Sequence, residues 1–533
     1  MSVIPTLNGV FAKIKGGVFH VKQPTRPQES KPLSVLHDLG RTLSKHSDYI
    51  MANQPSAMQH DVTAALAMLK NINWHDGEVQ KHRPELNDAQ IVEIRLLDII
   101  ANCLCTGVPG DVVATTFANI GTKPSLVVAK NRPPTPNERE IANKILEAAL
   151  SKEKDFLLST VIKYTGRNIL NRIKKLRECI FKGETENVLN KFKVLEEDLE
   201  DYEPLDLTNE FPPGLVAEFP NVYGIKKGDI SGTHAKTALK DAFIDIQKAV
   251  KKLGLQKEFD SNANNVEVLN KLDGTCTILV NSTFMKTRPD SDEFNQRFIR
   301  RLKKVTRNIG GLNEITRRYS KQPDRVHNLV WVNDLPGYVD INYPSVKLAN
   351  TFQEALSIAK VPLPELAKGN WDHIPRFKGF RTKWPGASAN AREIEPKLHC
   401  EVNVLASLAH LIKDEHGNPK KPDTLVIGCS KQSCLSCNLW FKEFNSKHGT
   451  KSTTSGSHGK PFPAWGLPGD DGANKLVFEE INKKLTAAVQ VTLGPPMATA
   501  HNRSPSDDQA STDSDSGGTH AGNWGSTRRG GSG

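Results

Sequence analysis

The sequence lacks any apolar stretch long enough to cross a bilayer. The longest, Leu96–Val108, is interrupted by polar side chains and is shorter than the roughly 20 residues that a transmembrane helix needs. We expect no signal peptide in residues 1–22, because Pro5, Gly9, Lys13 and Lys15 lie where its apolar core would be. These absences predict a soluble intracellular protein, in the cytoplasm or the nucleus, with no membrane partner.

Cysteine is scarce and unevenly placed. Only 8 of the 533 residues are cysteine, and four of these lie between residues 400 and 437. A disulfide framework would spread its cysteines through a small secreted domain, whereas this clustering is typical of metal ligation in a reducing compartment. The other four are predicted to be buried thiols: Cys103, Cys105, Cys179 and Cys276.

Acidic residues are outnumbered, with 60 Asp and Glu against 71 Lys and Arg, a formal net charge of +11. A basic excess favours an anionic partner such as nucleic acid. The densest basic segment, residues 297–307, has six basic side chains and no acidic one on an amphipathic helical pattern. Four of its residues are candidates for contact with phosphate, and a solvated helix face is the alternative: Arg297, Arg300, Arg301 and Lys304.

Four regions differ in composition and periodicity. Residues 1–55 have little periodicity and are predicted to be an irregular arm. Residues 56–324 have helical periodicity and are predicted to be a mostly α-helical domain of unknown role, a candidate for self-association or for binding a protein partner. In residues 325–493 short β-rich runs alternate with helical segments, which predicts an α/β domain. Residues 494–533, rich in Ser, Gly and Asp, are predicted to be a disordered tail.

Two short motifs in the α/β region contain the candidate metal-binding and catalytic residues. His399-Cys-Glu401 opens a helical pattern, and after a strand pattern Cys434-x-x-Cys437 opens a second one. Two thiolates at positions i and i+3 of a first helical turn face the same way and can share one metal. With His399 as a third ligand, a tetrahedral zinc ion keeps its fourth position for water, and Glu401 would lie beside that water.

This order of motifs resembles the zinc deaminases of nucleobases, whose signature is H-x-E followed by P-C-x-x-C. The segment Ser455–Lys460 and Trp465 make the resemblance closer to a branch of deaminase-like proteins abundant in fungi, which usually carry a long helical region ahead of the deaminase domain. The resemblance covers roughly residues 370–470. The sequence departs from the signature at Ser433, where the family has proline, and this change leaves the ligand set intact.

The resemblance implies a fold and a reaction. The fold is a three-layer α/β domain in the C-terminal half, a mixed sheet flanked by helices, preceded by the helical domain. Its first hairpin has no clear counterpart, with Asn328–Asn342 as a candidate. In the reaction, metal-bound hydroxide attacks a cytosine or adenine base, and Glu401 moves protons until ammonia leaves. His458, Lys460 and Trp465 would contact the substrate, which is a free nucleotide, DNA or RNA.

Two alternatives remain open from the sequence. A closed zinc site could use four protein ligands, Cys429, Cys434, Cys437 and either His448 or His458. The chain would then be a non-catalytic interaction protein with a structural zinc in a deaminase-like domain, which leaves the intact Glu401 unexplained. Trp465 could also be a core residue under a surface turn rather than a substrate contact.

Overall fold

The computed structural model describes most of the chain between residues 56 and 493. The described residues are 56–77, 86–121, 123–151, 154–181, 186–204, 207–212, 232–259, 262–287, 293–319, 328–336, 338, 340–359, 361, 383–388, 393–411 and 424–493. The predicted arm at residues 1–55 and the predicted tail at 494–533 lie outside them. Within these ranges, no helix has the length and apolar character that crossing a membrane requires.

Helices and strands alternate in an α/β arrangement. The α-helices are α1 (Ser56–Asn71), α2 (Asp88–Cys103), α3 (Pro136–Ser151), α4 (Lys154–Phe181), α5 (Glu186–Asp201), α6 (Leu207–Glu210), α7 (Gly232–Leu253), α8 (Ala263–Asn281), α9 (Thr283–Lys286), α10 (Glu293–Tyr319), α11 (Phe352–Ile358), α12 (Cys400–Leu411), α13 (Leu435–His448) and α14 (Asp471–Leu493). The strands are β1 (Val113–Ile120), β2 (Lys123–Lys130), β3 (Asn328–Trp331), β4 (Val346–Lys347), β5 (Glu393–Ile394), β6 (Val426–Cys429) and β7 (Thr453–Thr454). The predicted combination of a helical region with an α/β region is confirmed.

The central sheet has five strands in the order β3-β2-β1-β6-β7. Strands β1 and β2 form an antiparallel hairpin that pairs Val113 with Lys130 at one end and Ile120 with Lys123 at the other. Strand β1 is also antiparallel to β6, whereas β3 and β7 run parallel to their neighbours at the two edges. The mixed sheet implied by the family resemblance is therefore present, and β4 and β5 pair separately.

The first hairpin lies much further upstream than expected. The candidate Asn328–Asn342 contributes only β3, a short edge strand parallel to β2. The hairpin is formed instead by β1 and β2, which are separated from the His399 motif by all the helices from α3 to α10. Position along the chain was misleading because a sheet pairs strands by their backbone hydrogen bonds, whatever the length of the connection between them.

The predicted domain boundary at residue 325 therefore needs correction. It separates β1 and β2 from β3, β6 and β7, which all belong to one sheet. The described residues between 56 and 493 belong to one compact unit. The helices α3 to α10 are an insertion between two strands of this sheet rather than a domain that precedes it.

The two faces of the sheet are covered by different helices. Along β2, Leu126 and Val128 face a core built with α2 and the inserted helices, whereas Val127 and Ala129 face a core built with α1, α12, α13 and α14. This alternation is expected because successive side chains of a strand point to opposite faces. Both motif helices, α12 and α13, thus pack on the same face of the sheet, which brings their N-terminal ends together.

Gly428 in β6 determines how closely α2 approaches the sheet. A Cβ atom at this position would lie 2.3 Å from the carbonyl carbon of Leu97 and 2.4 Å from the backbone nitrogen of Asp98. At this close approach, the Asp98 carboxylate accepts a hydrogen bond from the N–H of Cys429 at 2.7 Å. The helix and the strand end are therefore held together by a contact that only glycine permits.

We expect Gly428→Ala to destabilise the fold by about 1–3 kcal/mol or more, because the added methyl group meets helix backbone that cannot turn aside. Gly469→Ala is the matched control, since no atom lies within 4 Å of a Cβ built at Gly469; it should change the free energy of unfolding by less than about 0.5 kcal/mol. Denaturant titration followed by circular dichroism measures both. Equal stabilities would show that α2 is not held as closely as described.

Candidate functional site

Three predicted ligands converge where α12 and α13 begin. His399 directly precedes α12, Cys434 is the N-cap of α13, and Cys437 lies in its first turn. His399 Nδ1 is 3.6 Å from Cys434 Sγ and 3.3 Å from Cys437 Sγ. The two sulfurs are 3.4 Å apart. In the part of the chain that the structure describes, this is the group of three donor side chains that could hold one metal ion.

The electrostatics of this group favour the thiolate form of Cys434, paired with the ring of His399. Burial alone would lower the pKa of His399, but the nearby Cys434 thiolate outweighs burial and raises that pKa to about 9. Burial alone would raise the pKa of Cys434, but a hydrogen bond from Cys437 and the charge of His399 lower it. The N–H of Cys437 also donates to Cys434 Sγ at 3.5 Å. Thiolate is the form of cysteine that binds metal.

Glu401 lies beside the three ligands in the first turn of α12. Its side chain is 4% exposed. The Cys400 thiol donates to Glu401 Oε2 at 3.4 Å, and the Glu401 carboxylate also hydrogen-bonds with Cys437. The carboxylate is thus directed toward the ligand group without belonging to it, and it can exchange protons with a molecule bound there.

Asn131 is a site residue that the sequence did not reveal. It directly follows β2, and its Oδ1 accepts a hydrogen bond from the N–H of Cys400 at 2.9 Å. This contact satisfies one of the free backbone donors at the start of α12, as an N-cap side chain would. The hairpin therefore helps to fix the turn that carries His399 and Glu401. An asparagine after a β-rich run was the only signal, and it had meaning only once the hairpin was placed.

The segment Ser455–Lys460 wraps around the start of α13. The N–H of Ser433 donates to the carbonyl of Gly456 at 3.1 Å, and the N–H of His458 donates back to the carbonyl of Ser433 at 3.0 Å. The departure from the family signature now has a physical reason. A proline at position 433 would have no N–H to donate to Gly456.

His458 and Phe462 form an aromatic surface next to the ligands. The ring of Phe462 lies 5.9 Å from the rings of both His399 and His458. The N–H of Lys460 donates to His458 Nδ1 at 3.0 Å. Burial and then the charge of Lys460 lower the pKa of His458 to about 4. His458 is therefore neutral near pH 7, with its remaining proton on Nε2.

Trp465 is not placed to contact a substrate. Its side chain has no exposed surface and belongs to the core that α12 and α13 share. The carbonyl of Trp465 accepts a hydrogen bond from Gln59 at 3.0 Å, and the backbone of Lys397 pairs with the same segment. The core alternative for this tryptophan is the one that the structure supports.

The closed four-ligand zinc site does not match the geometry. His448 lies at the far end of α13, where its Nε2 is 2.7 Å from Asp470 Oδ2. Cys429 is buried at the end of β6 with its N–H bonded to Asp98, and it is not a member of the ligand group. His399 is a member of the ligand group, although the closed site would not use it.

The basic residues of α10 do not form one exposed surface. Arg301 is only 7% exposed and lies near Cys179 of α4, as does the half-buried Arg297. Arg300 is exposed and Lys304 is half-buried. The predicted four-residue phosphate contact is therefore divided between the interior of the inserted helices and the surface.

Comparison with known proteins identifies the class of the site. Residues 398–469 match the family model described as OTT_1508-like deaminase. This segment contains the three donors, Glu401 and the loop around α13, so this part of the chain is similar to deaminase domains of the cytidine deaminase-like family, as the motifs predicted. Searches of curated proteins and of solved structures found no match.

Proposed function

We propose that this protein is a zinc-dependent deaminase that removes the amino group of a cytosine or adenine base by hydrolysis. The observation that carries the proposal is the grouping of His399, Cys434 and Cys437 with Glu401 held beside them, in a segment that matches a deaminase family. A nucleotide, DNA or RNA would supply the base.

The donor set suits zinc. Zinc–sulfur bonds of about 2.3 Å and zinc–nitrogen bonds of about 2.0 Å in tetrahedral geometry separate the ligand atoms by about 3.5–3.8 Å. The three separations here, 3.3, 3.4 and 3.6 Å, are close to that range. Three protein ligands are typical of catalytic rather than structural zinc. When bound, zinc supplies a water molecule acidic enough to act as a nucleophile near neutral pH.

Glu401 has the position that proton transfer requires. It accepts one proton from the attacking water and delivers it to the ring nitrogen; it then accepts the proton of the newly added hydroxyl and delivers that one to the amino group, which leaves as ammonia. Its place in the first turn of α12 is held by the cap from Asn131, and the thiol of Cys400 orients one carboxylate oxygen. Because Glu401 is not one of the ligands, its protonation can change while the metal stays bound.

The wall beside the ligands suits a flat heterocycle. A base can pack against the ring of Phe462, which lies between His399 and His458. The neutral imidazole of His458, next to that ring, adds a polar side chain to the same wall. These contacts would orient the amino-bearing carbon toward the metal site.

Metal content and ammonia release test the proposal together. We expect Cys434→Ser to lose most of the bound zinc and all measurable deamination, because it removes one of three ligands. Cys429→Ser, a matched change outside the ligand group, should keep about one zinc per chain and its activity. Zinc is measured by mass spectrometry, and ammonia with cytidine, adenosine, their monophosphates and short single-stranded DNA and RNA.

The same variants distinguish the non-catalytic alternative. A closed structural site requires that Cys429→Ser loses zinc and that His399→Ala keeps it. That result, or a zinc-loaded protein that releases no ammonia from any of these compounds, would contradict the proposed function. Circular dichroism of each variant shows whether a loss reflects the site or the fold.

A further inference from the structure

Lys460 is a half-buried cation at the edge of the metal site, and no carboxylate pairs with it among the residues that the structure describes. Its backbone is fixed on both sides. Its carbonyl accepts from the N–H of Leu435 at 3.0 Å, and its own N–H donates to His458 Nδ1. A lysine whose backbone is fixed and whose ammonium group is not neutralised by a carboxylate is suited to bind an anion.

His75 reaches the same place from the segment that follows α1. The N–H of Asp76 donates to the carbonyl of Gly459 at 3.2 Å, and a Cβ at Gly459 would lie 2.5 Å from the carbonyl oxygen of Asp76. The two segments are thus in direct contact. Burial and then the charge of Lys460 lower the pKa of His75, which places the imidazole within electrostatic reach of the lysine.

The acidic residue next to His75 does not cancel this positive charge. Asp76 Oδ2 lies 2.8 Å from the ammonium group of Lys484, on α14. Lys484 also contacts Glu480 one turn earlier on the same helix, at 3.3 Å. Asp76 is therefore paired with Lys484 on α14, and the charge next to His75 that it leaves unpaired is that of Lys460.

The groups follow one another in the same order as the parts of a nucleotide. The ring of Phe462 neighbours His399 and His458, the backbone N–H of Lys460 bonds to His458, and the charge of Lys460 acts on both His458 and His75. A nucleotide has a flat base, a polar sugar and a phosphate in that sequence. A base at the metal site would extend its phosphate toward the unpaired lysine.

We propose that Lys460 and His75 bind a phosphate group of the substrate, so that the enzyme acts on nucleoside phosphates rather than on free nucleosides or bases. This inference rests on the proposed deaminase function and specifies its substrate class. The phosphate is the monoester of a mononucleotide or the diester of a polynucleotide, because both present the same anionic oxygens. This phosphate site does not involve the basic residues of α10, which are divided between the protein interior and the surface.

Steady-state kinetics of the zinc-loaded full chain tests the proposal with three probes: cytidine, cytidine 5′-monophosphate and a short single-stranded oligocytidine, or the adenine series if adenine is the accepted base. We expect the phosphate-bearing probe to be preferred by roughly tenfold or more in kcat/KM, the effect of one hydrogen bond to a charged group. The better of the two phosphate probes identifies the source of the phosphate.

Lys460→Gln separates the phosphate contact from catalysis. It should raise KM for the preferred phosphate-bearing probe roughly tenfold and leave KM for cytidine unchanged. Lys451→Gln is the matched control. It removes an exposed lysine that follows α13, whose 14 residues separate the two ends of that helix by about 20 Å, and it should change neither KM.

Equal KM values for cytidine and the phosphate-bearing probes in the unmodified protein would overturn the phosphate site and leave deamination intact. A loss of kcat/KM in Lys460→Gln that is the same for all probes would also overturn the phosphate site. If no probe releases ammonia, the proposed function fails, and calorimetric binding to the zinc-loaded protein tests the phosphate site alone. Tighter binding of the monophosphate or the oligocytidine than of cytidine, lost in Lys460→Gln, supports the site; equal binding overturns it.

Discussion

Glu401→Gln is expected to reduce ammonia release by roughly 10²–10⁴-fold, the usual contribution of a positioned general acid–base group, while zinc content stays near one per chain. Glutamine keeps the size of the side chain and can still hydrogen-bond with its neighbours, but it cannot accept a proton and pass it on. The carboxylate is buried beside the ligands and is not one of them, so the metal should remain bound.

A coupled ammonia assay and metal analysis on the same samples measure both quantities. Glu443→Gln is a suitable control, because Glu443 is a half-buried acid on α13 whose Oε1 lies 3.6 Å from the ammonium group of the neighbouring Lys442. It should keep both zinc and activity. Full turnover by Glu401→Gln would show that another group carries the protons, and loss of zinc would mean that the carboxylate supports the ligands directly.

The candidate ligands were predictable from the sequence because their geometry is local. Cys434 and Cys437 are three positions apart in one helical turn, and His399 and Glu401 share the start of another helix. Only the meeting of these two helix ends depended on the rest of the fold. The shared apolar character of α12 and α13 placed them on one face of a sheet, as the family resemblance implied.

The supports of the site were not predictable in the same way. Asn131 and His75 reach it from segments far from the motifs in sequence, and nothing local to these residues indicates such contacts. Trp465 illustrates the opposite error, since its position in the motif region suggested the substrate but its side chain is fully buried. A motif defines the residues that share an element, whereas long-range contacts come from the packing of several elements.

The hairpin was recognisable but was assigned to the wrong segment. Strands β1 and β2 are rich in β-branched residues and are joined by a two-residue loop containing Gly121, whose φ of 62° favours glycine, and this is an ordinary hairpin signal. The signal was obscured because helical periodicity surrounds it and a long helical insertion separates it from β3. The order of strands in a sheet depends on which backbones pair, and the hydrophobic periodicity of the sequence does not indicate this pairing.

A buried ionic network joins the hairpin to the inserted helices. The fully buried Lys130, the last residue of β2, contacts Asp111 Oδ1 at 2.7 Å and Glu138 Oε1 at 2.6 Å. Arg132 contacts the same carboxylate of Glu138, which is on α3. Removing one member of such a network leaves a buried charge without its partner, which is strongly destabilising. The insertion and the sheet are therefore expected to fold together.

Expressing residues 325–493 alone, the range that the sequence suggested as a domain, should yield a chain that does not fold cooperatively. This fragment keeps β3, β6 and β7 but lacks β1 and β2, the two strands that connect them. It also lacks α1 and the apolar residues of β2 that complete the core around α12 and α13. Exposed strand edges and apolar surface of this kind lead to aggregation.

Residues 56–493 are the matched comparison, because they contain every element of the sheet and both of its cores. This longer chain should show one cooperative thermal transition by circular dichroism, bind about one zinc ion and release ammonia, since its metal site retains the support of Asn131. The shorter fragment should show no transition and bind no stoichiometric zinc. A soluble 325–493 fragment with a cooperative transition and one bound zinc would contradict this expectation. It would mean that β3, β6 and β7 form a stable sheet without the hairpin. The inserted helices, β1 and β2 would then be accessory to a zinc-binding domain that folds without them.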